Sequence, residues 1–253
     1  MQRETSLSFL AGPRAAVFIQ SIDCRARRLY GKAMPSAPSA VMSQPETRER
    51  LLLAAVDVFG RYGFTGTTTR MLAAAAETNL QAIPYHFGSK EQLYLAAADH
   101  IADRLLERLA VSFDRARALL ARAPVDPNRA RDRLREMLVA FAELLLEDGS
   151  EAIARFIVRE QMEPTAAFDH LYERVMAPQL ELARKLVAIL LDADPRSNRV
   201  RLRTLALFGG VLFFRTGHAT AMRQLGWSIV RAREMSAMRN LIHEAVHELR
   251  DES

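Results

Sequence analysis

Apolar residues recur at helical spacing in the segment between Pro45 and Leu93. The first group repeats at i, i+4 and i+8, which is the spacing of a helix face turned towards a core. This predicts a first helix that ends at Gly60 and Gly63, with Thr65 and Gly66 in a loop. Its buried stripe is predicted to consist of Leu51, Leu52, Ala55, Val56 and Phe59.

Two shorter helices are predicted to follow within the same segment. The second begins behind Thr67, whose hydroxyl can accept an unpaired backbone N–H at a helix start. After Ala76 there is room only for a tight turn, and Asn79 is a suitable cap for a third helix that runs to about Phe87. Two short helices joined by a tight turn form a helix-turn-helix, whose second member can lie in a DNA major groove.

The rest of the chain also shows helical patterns. Ser89 is predicted to cap a long fourth helix that continues to Leu120, and prolines at 124 and 127 separate it from the next helix. Thr165 opens a helix in which Pro178 is expected to cause a kink or a restart. Further helices are predicted over residues 129–147, 150–162, 199–224 and 228–250. The predicted fold class is therefore all-α.

Composition agrees with this prediction and narrows the class of protein. The chain has 253 residues, 49% of them hydrophobic, which is enough for a sizeable core in one or two domains. The single Cys24 excludes an internal disulfide and suits a reducing cytoplasm. Apolar runs such as 205–214 fall short of a membrane span. We therefore expect a cytoplasmic protein without a membrane partner or a cofactor.

The net charge of the chain does not by itself identify its binding partner. Of the formal charge of +5, residues 1–44 contribute +4, so the remainder is nearly neutral and does not identify DNA as the partner. These 44 residues are predicted to be a disordered or mis-assigned extension. The alternatives are a secretion signal, a basic arm that touches DNA phosphates, and translation that begins at Met34 or Met42. Ser43 and Glu46 form an S-x-x-E capping box for the first helix.

Three stretches resemble the DNA-binding domain of TetR-type transcriptional regulators. They are TRERLLLAAVDVFGRYGF at 47–64, TTTRMLAAAA at 67–76 and IPYHFGSKEQL at 83–93, in the order and at the spacing of that family. The YHFGSKE run at 85–91 is the most specific part. The resemblance implies a three-helix DNA-binding head over residues 45–93. The alternative is a three-helix core that binds nothing.

The resemblance, together with position on the helices, implies which residues contact DNA. The start of the third helix normally reaches base edges, where Gln81 can pair with adenine and Leu80 or Ala82 can touch a thymine methyl. Thr67 and Thr68 can offer hydroxyl and N–H groups to a phosphate. The full predicted set is Thr67, Thr68, Asn79, Leu80, Gln81, Ala82, Tyr85, His86 and Lys90.

Several of these residues have a structural alternative. Tyr85 and Phe87 are also typical core aromatics, and Lys90 is also typical of a solvated first helical turn. Two positions depart from the family. Glu77 stands in the turn where relatives usually carry Gly, and Pro84 lies inside the third helix, where it removes a backbone bond to Leu80.

The C-terminal part resembles the CecR-like (YbiH-like) branch of these regulators. The matching stretches are NLQAIPYHFGSKEQLYLA at 79–96, FIVREQMEPTAAFDHLYERVMAP at 156–178 and LFGGVLFFRTG at 207–217. The resemblance implies that residues 94–253 form a helical domain that binds a small-molecule effector and makes a homodimer. The dimer surface is expected on helices 199–224 and 228–250. The candidate effector contacts are Phe156, Arg159, Gln161, Met162, Phe168, Tyr172 and Phe208.

These effector residues also have alternatives, since aromatics and Met at helical spacing are usually core and Arg159 can pair with Glu163 one turn on. The overall prediction is a repressor that leaves double-stranded operator DNA when it binds a small molecule, and not an enzyme. One competing pattern is HEAVH at 243–247, which matches the H-E-x-x-H zinc motif of metal-dependent hydrolases through His243 and His247. Another is a helical interaction module whose basic N-terminus binds membranes or acidic partners. No nucleophile, base and acid set and no phosphate-binding glycine loop is evident.

Overall fold

The structure is a computed structural model that describes residues 44–122, 124–147 and 149–249. The extension predicted for residues 1–44 lies outside the described residues except for Gln44, and so does Ser43 of the expected capping box. Every regular element in the described residues is helical, which confirms the all-α prediction. The elements are α1 (Gln44–Gly66), α2 (Thr69–Ala75), α3 (Ala82–Phe87), α4 (Lys90–Leu120), α5 (Pro127–Leu146), α6 (Glu151–Met162), α7 (Ala166–Leu171), a π-helical turn (Tyr172–Met176), α8 (Ala177–Leu190), α9 (Asn198–Thr216), α10 (His218–Leu225) and α11 (Ala232–His247).

Helices α1, α2 and α3 pack around one core with the first turns of α4. The predicted stripe of α1 is buried throughout, and it meets Leu72 of α2, Ile83 of α3 and Leu93 of α4, all of them fully buried. A six-residue helix such as α3 is marginal on its own. Its position is therefore set by tertiary packing in this core.

The end of α1 differs from the prediction. Gly60 is helical and does not end α1, whereas Gly63 breaks the helix with φ 71° and ψ 176°. Gly60 lies where the backbone of α6 approaches closely, since a Cβ at this position would stand 3.0 Å from the carbonyl oxygen of Ala152. Its lack of a side chain permits helix packing.

Helix α6 joins the head to the C-terminal helices. Arg155 Nη2 donates to Asp57 Oδ1 of α1 at 3.0 Å, and Phe156 is buried beside it. Residues 44–249 accordingly belong to one compact unit. The sequence suggests a domain boundary between residues 93 and 94. Helix α4 continues through this position without a break, so the division into two domains remains a prediction.

The C-terminal helices surround α5, whose Leu134, Met137 and Leu138 are buried. Helix α5 begins at Pro127, two residues earlier than predicted, because Asp126 accepts the N–H groups of Asn128 and Arg129. The kink or restart expected at Pro178 takes the form of a π-helical turn, and the backbone stays helical at Met176 and Ala177. A π-helical turn ends at Met176 and α8 begins at the next residue, with the proline in its first turn.

The two last predicted helices are shorter than the sequence suggested. The helix predicted over 199–224 is two helices, α9 and α10, separated at Gly217. A Cβ at Gly217 would stand 2.5 Å from Cε2 of Phe213, so the ring takes the space that a side chain would need. Helix α11 begins only at Ala232, because the Glu234 carboxylate accepts the N–H of Arg231 at 3.0 Å and sets the helix start there.

Candidate nucleic-acid interface

Three of the four positions that the sequence assigns to base contacts at the start of α3 are exposed, namely Asn79, Leu80 and Gln81. Asn79 caps this start, because its Oδ1 accepts the N–H of Ala82 at 3.0 Å. Leu80 and Gln81 form a turn before the helix and are exposed. Ala82 is buried in the head core, so its predicted contact with a thymine methyl is wrong. Leu80 and Gln81 remain as the candidate base readers.

Pro84 does not disturb this helix as the sequence suggested. Helix α3 begins at Ala82, which places Pro84 in the first turn, where a helix has no intrahelical partner for the missing N–H. Tyr85 is 67% exposed, and its ring packs edge-on against His86 at a centroid distance of 4.9 Å. The core alternative for Tyr85 is therefore excluded. Phe87 is only partly buried and packs against the core.

The two threonines before α2 have different roles from those predicted. The N-cap is Thr68, whose hydroxyl accepts the N–H of Met71 at 3.2 Å and which is exposed. Thr67 is buried, and its hydroxyl donates to the carbonyl of Gly63 at 2.7 Å. The predicted phosphate contact of the Thr67 hydroxyl is therefore wrong, because that group stabilises the break in α1. Thr68 keeps an exposed position at the helix start.

Lys90 has internal partners in this structure. Its ammonium donates to the carbonyls of Phe64 and Thr67, each at 3.1 Å, and lies 4.1 Å from the centroid of the Phe64 ring. Lys90 thus ties the start of α4 to the segment between α1 and α2, which excludes the purely solvated alternative. An ammonium has three donors, so these two bonds do not exhaust it. Contact with a DNA phosphate stays a prediction for this residue.

The turn between α2 and α3 is made without glycine. Glu77 adopts a left-handed conformation with φ 48°, so the strain expected at this departure from the family is present. Arg50 of α1 donates to the carbonyl of Glu77 at 2.6 Å and also to that of Ala76. These bonds pair carbonyl groups at the C-terminal end of α2, where no intrahelical donor is available.

Two arginines near these residues were missed by the sequence reasoning. Arg48 of α1 is exposed, and its guanidinium carbon lies 5.1 Å from the centroid of the Phe87 ring at the end of α3. Arg70 is the second residue of α2 and is exposed next to Thr68. Both place a cation beside the predicted DNA contacts, where phosphate neutralisation stabilises binding. A search for basic residues in the first turns of α1 and α2 could have found them.

Two predicted effector residues of α6 belong to its contacts with α1 and α4. Phe156 is buried, and its ring lies 5.0 Å from that of Tyr94 on α4. Arg159 Nη2 donates to the carbonyl of Arg61 at 3.2 Å, so its guanidinium reaches towards α1 and not forward to Glu163. The ion pair weighed for Arg159 is therefore replaced by a contact that holds the head, and the role of Arg159 in an effector pocket stays a prediction.

The other predicted effector residues occupy separate places. Gln161 and Met162 are exposed at the end of α6, and Gln161 Nε2 lies 3.4 Å from the sulfur of Met176. Phe168 and Tyr172 stack on each other at 5.7 Å. Phe208 is buried against Phe141 of α5 at 5.3 Å. The seven candidates therefore do not line one common site in this structure, and their contact with an effector stays a prediction.

A groove of about 290 Å³ lies between α9 and α11, over Leu138 of α5. Its walls include Ala206 and Gly210 of α9 and Leu241 of α11. Beside it, the surface of α9 exposes the large apolar side chains Leu202, Leu205 and Phe213. The groove and this surface lie on the two helices from which the sequence predicts a dimer, and together they form an apolar area open to solvent.

Among the described residues, no further side chain completes the zinc motif. His243 and His247 lie one turn apart with ring centroids 6.2 Å from each other, and His243 Nδ1 lies 2.9 Å from a guanidinium nitrogen of Arg135. Within residues 44–122, 124–147 and 149–249, no three His, Cys, Asp or Glu side chains group in a way that could hold a metal ion. None of the helices described there is long and apolar enough to span a bilayer.

Comparison with known proteins agrees with the head and with the C-terminal helices. The family model "Bacterial regulatory proteins, tetR family" matches residues 51–97, and the model of the C-terminal domain of the HTH-type transcriptional dual regulator CecR matches residues 130–249. The CecR regulator of Shigella flexneri is 36% identical over 191 residues, which cover 76% of this chain and 85% of that protein.

Two further proteins extend this comparison. The HTH-type transcriptional repressor NicS of Pseudomonas putida is 41% identical over 95 residues, which cover 38% of this chain and 39% of NicS. The crystal structure of a TetR-like regulator from Rhodococcus sp. RHA1 superimposes with a TM-score of 0.54 at 22% identity, covering 83% of this chain and 96% of that one. The chain belongs to the TetR family of bacterial transcriptional regulators, in the branch of CecR.

Proposed function

We propose that this regulator is a homodimeric repressor that binds a pseudo-palindromic operator and leaves it when a small molecule binds to its C-terminal helices. The observation that carries the proposal is the exposure of Leu80, Gln81 and Tyr85 on and before a short helix whose other face is buried. Repression of transcription at an operator would place the protein in the cytoplasm.

Each exposed group of the head has a distinct part in this proposal. The amide of Gln81 can make two hydrogen bonds to an adenine in the major groove, and Leu80 can contact a thymine methyl. Tyr85, His86 and Thr68 supply hydrogen bonds to phosphates, which fix the register of the head on the duplex. Arg48 and Arg70 add positive charge beside them.

The dimer would form through the groove between α9 and α11 and the exposed apolar residues of α9. A surface of this kind is self-complementary when two copies meet about a two-fold axis. Two heads related by that axis would contact half-sites about 34–36 Å apart, which is one turn of DNA. This proposed surface uses α9 and α11, which line the groove, whereas α10 begins beyond Gly217.

The effector would act by favouring a conformer whose heads are wrongly spaced, and its effect is limited by its differential affinity for the two conformers. Of the effector contacts predicted from the sequence, Phe168 and Tyr172 are retained as candidates in this proposal. They form a partly exposed stacked pair beside the π-helical turn, and such turns are frequent at functional sites.

Sequencing of the genomic fragments that the purified protein selects would test the proposal. We expect a short motif with two-fold symmetry, and the Gln81→Ala variant should lose discrimination at one or two base pairs of each half-site, at a cost of about 1–3 kcal/mol. Salt-sensitive binding to any sequence would support instead a generic basic module and would contradict specific repression.

A further inference from the structure

Glu160 of α6 is a carboxylate in the interior of the protein, only 1% exposed. One carboxylate oxygen, Oε1, accepts a short hydrogen bond from the hydroxyl of Tyr94. The other, Oε2, accepts the backbone N–H of Thr165 at 3.1 Å and its hydroxyl at 2.9 Å. A buried carboxylate is costly unless such donors satisfy it.

The two oxygens of this carboxylate join two different helices. Tyr94 lies in α4, which continues from the head, whereas Thr165 is the N-cap of α7 and also accepts the N–H of Ala167 at 3.1 Å. The start of α7 is therefore connected to α4 through a single side chain. A shift of α7 would either carry Glu160 with it or leave Oε2 without its donors.

The tyrosine at the other end of this connection is part of the head packing. Its ring lies 4.7 Å from Phe59 in an edge-on contact and 5.2 Å from Phe64. Both phenylalanines belong to α1, and Phe64 is the residue whose ring and carbonyl contact Lys90. A displacement of Tyr94 would therefore change the packing of α1 and of the segment that leads to α2.

We propose that Glu160 is a positioning residue for DNA binding. Its contacts hold α4 and the head in the arrangement that fits the operator, and this arrangement depends on the position of α7. This inference rests on the proposed function. Loss of one hydrogen bond would leave an unsatisfied buried group, which disfavours intermediate positions, so we expect the connection to switch between two arrangements. The regulation is thus assigned to the hydrogen bonds that Glu160 makes with Tyr94 and Thr165.

Operator affinity of matched variants would test the proposal. Thr165→Val removes the hydroxyl and keeps the shape, Tyr94→Phe removes one oxygen atom, and Thr165→Ser restores the hydroxyl. If the contacts of Glu160 hold the head in place, their loss is expected to leave about one fifth of the dimers able to bind operator. Thr165→Val and Tyr94→Phe should then bind the selected operator about fivefold more weakly than the parent. Thr165→Ser should remain within about twofold of the parent.

The control variant is Asp126→Ala, which removes the N-cap of α5 and leaves the contacts of Glu160 unchanged. Thr165→Val also removes a helix cap, so the two variants are matched in this loss. All affinities are measured at a temperature at which circular dichroism shows each variant folded. Asp126→Ala should bind operator like the parent. A merely structural role for Glu160 predicts that Thr165→Val and Tyr94→Phe melt at lower temperature and bind operator unchanged, which would overturn the proposal.

A second readout does not depend on DNA. A nitroxide at Leu53→Cys, in a Cys24→Ser background, places one spin label on the exposed side of α1 in each protomer of the dimer. Thr165→Val and Glu160→Gln should introduce a second population of distances between the heads, and Asp126→Ala should not. One unchanged distance in both variants would overturn the inference. A parent protein that selects no operator, with distances that do change, would refute the proposed function alone.

Discussion

Arg50 Nη2 donates to the carbonyl oxygen of Glu77 at 2.6 Å, which joins the first helix to the one turn residue of the head that adopts a left-handed conformation without being glycine. The carbonyl that Arg50 holds belongs to the residue with φ 48°. Side-chain pairing of these carbonyls thus stabilises a turn whose backbone conformation is unfavourable for an L-amino acid.

Replacement of Glu77 by glycine should stabilise the protein. The substitution removes the steric cost of the left-handed conformation, about 1–2 kcal/mol, and adds chain entropy to the unfolded state, so a net gain of about 0.5–1 kcal/mol is expected. Urea unfolding followed by circular dichroism measures it. Glu77→Ala is the control, since it removes the same charge and keeps the Cβ. A glycine variant less stable than the alanine variant would show that the turn is not strained.

Tyr85 and Lys90 should separate DNA binding from head stability. Tyr85 is exposed, so Tyr85→Ala should leave the free energy of unfolding within about 0.5 kcal/mol and weaken operator binding on every sequence alike. Lys90→Met should destabilise the protein by about 1–2 kcal/mol, because two carbonyls lose a charged donor. Thermal unfolding and gel shift on the same samples give both quantities. Equal stability of Lys90→Met and the parent would contradict the internal role of Lys90.

Tyr94 should lose its phenolic proton only above the pH at which a tyrosine side chain ordinarily titrates, because its pKa is raised. Burial raises the pKa of Tyr94 above its usual value of 10, and the hydrogen bond to Glu160 raises it further. The folded protein then keeps a proton that the unfolded chain loses, so this contribution to stability is complete below pH 10 and declines as the pH rises above it. Absorbance of phenolate at 295 nm measures the titration.

In the folded state Tyr94→Phe should leave the phenolate signal near pH 10 unchanged, because the Tyr94 hydroxyl keeps its proton there. Loss of signal near pH 10 in Tyr94→Phe would show that this hydroxyl is accessible to solvent, and the hydrogen bond to Glu160 would then be absent in solution.

Leu205→Glu should prevent dimer formation. Leu205 is 54% exposed on α9 within the proposed dimer surface, and a charge there would be buried without a partner when two copies meet. Light scattering after size-exclusion chromatography, at micromolar concentration, would show a monomer. Val111→Glu on α4 is the control, because Val111 is 62% exposed and lies outside α9 and α11. Dimers of normal mass for Leu205→Glu would exclude this surface as the interface.

Features set by neighbouring residues could be predicted from the sequence, and features set by distant residues could not. The cap of α4 by Ser89 and the cap of α7 by Thr165 were predicted correctly, because each depends on a hydroxyl two or three residues from the N–H that it accepts. Thr67 and Thr68 were confused, since two adjacent threonines offer the same local chemistry. Only the contact of Thr67 with Gly63 distinguishes them.

The contacts of Arg159 and Lys90 that the sequence did not predict join residues far apart in the chain. Arg159 reaches the carbonyl of Arg61, 98 positions away, and Lys90 reaches that of Phe64, 26 positions away. Helical periodicity identifies which side chains lie on a common face, but it does not say which helix covers that face. Phe156 and Phe208 were both candidate effector contacts, and they pack in different places, Phe156 against Tyr94 and Phe208 against Phe141.

The spacing of contacts on the DNA is the most direct measure of the central claim, which is that two identical heads present Leu80 and Gln81 to the major groove. A hydroxyl-radical footprint on a selected fragment should show two protected half-sites on one face of the duplex, with centres about 34–36 Å apart and related by two-fold symmetry. A single protected site, or uniform protection along the fragment, would contradict the claim.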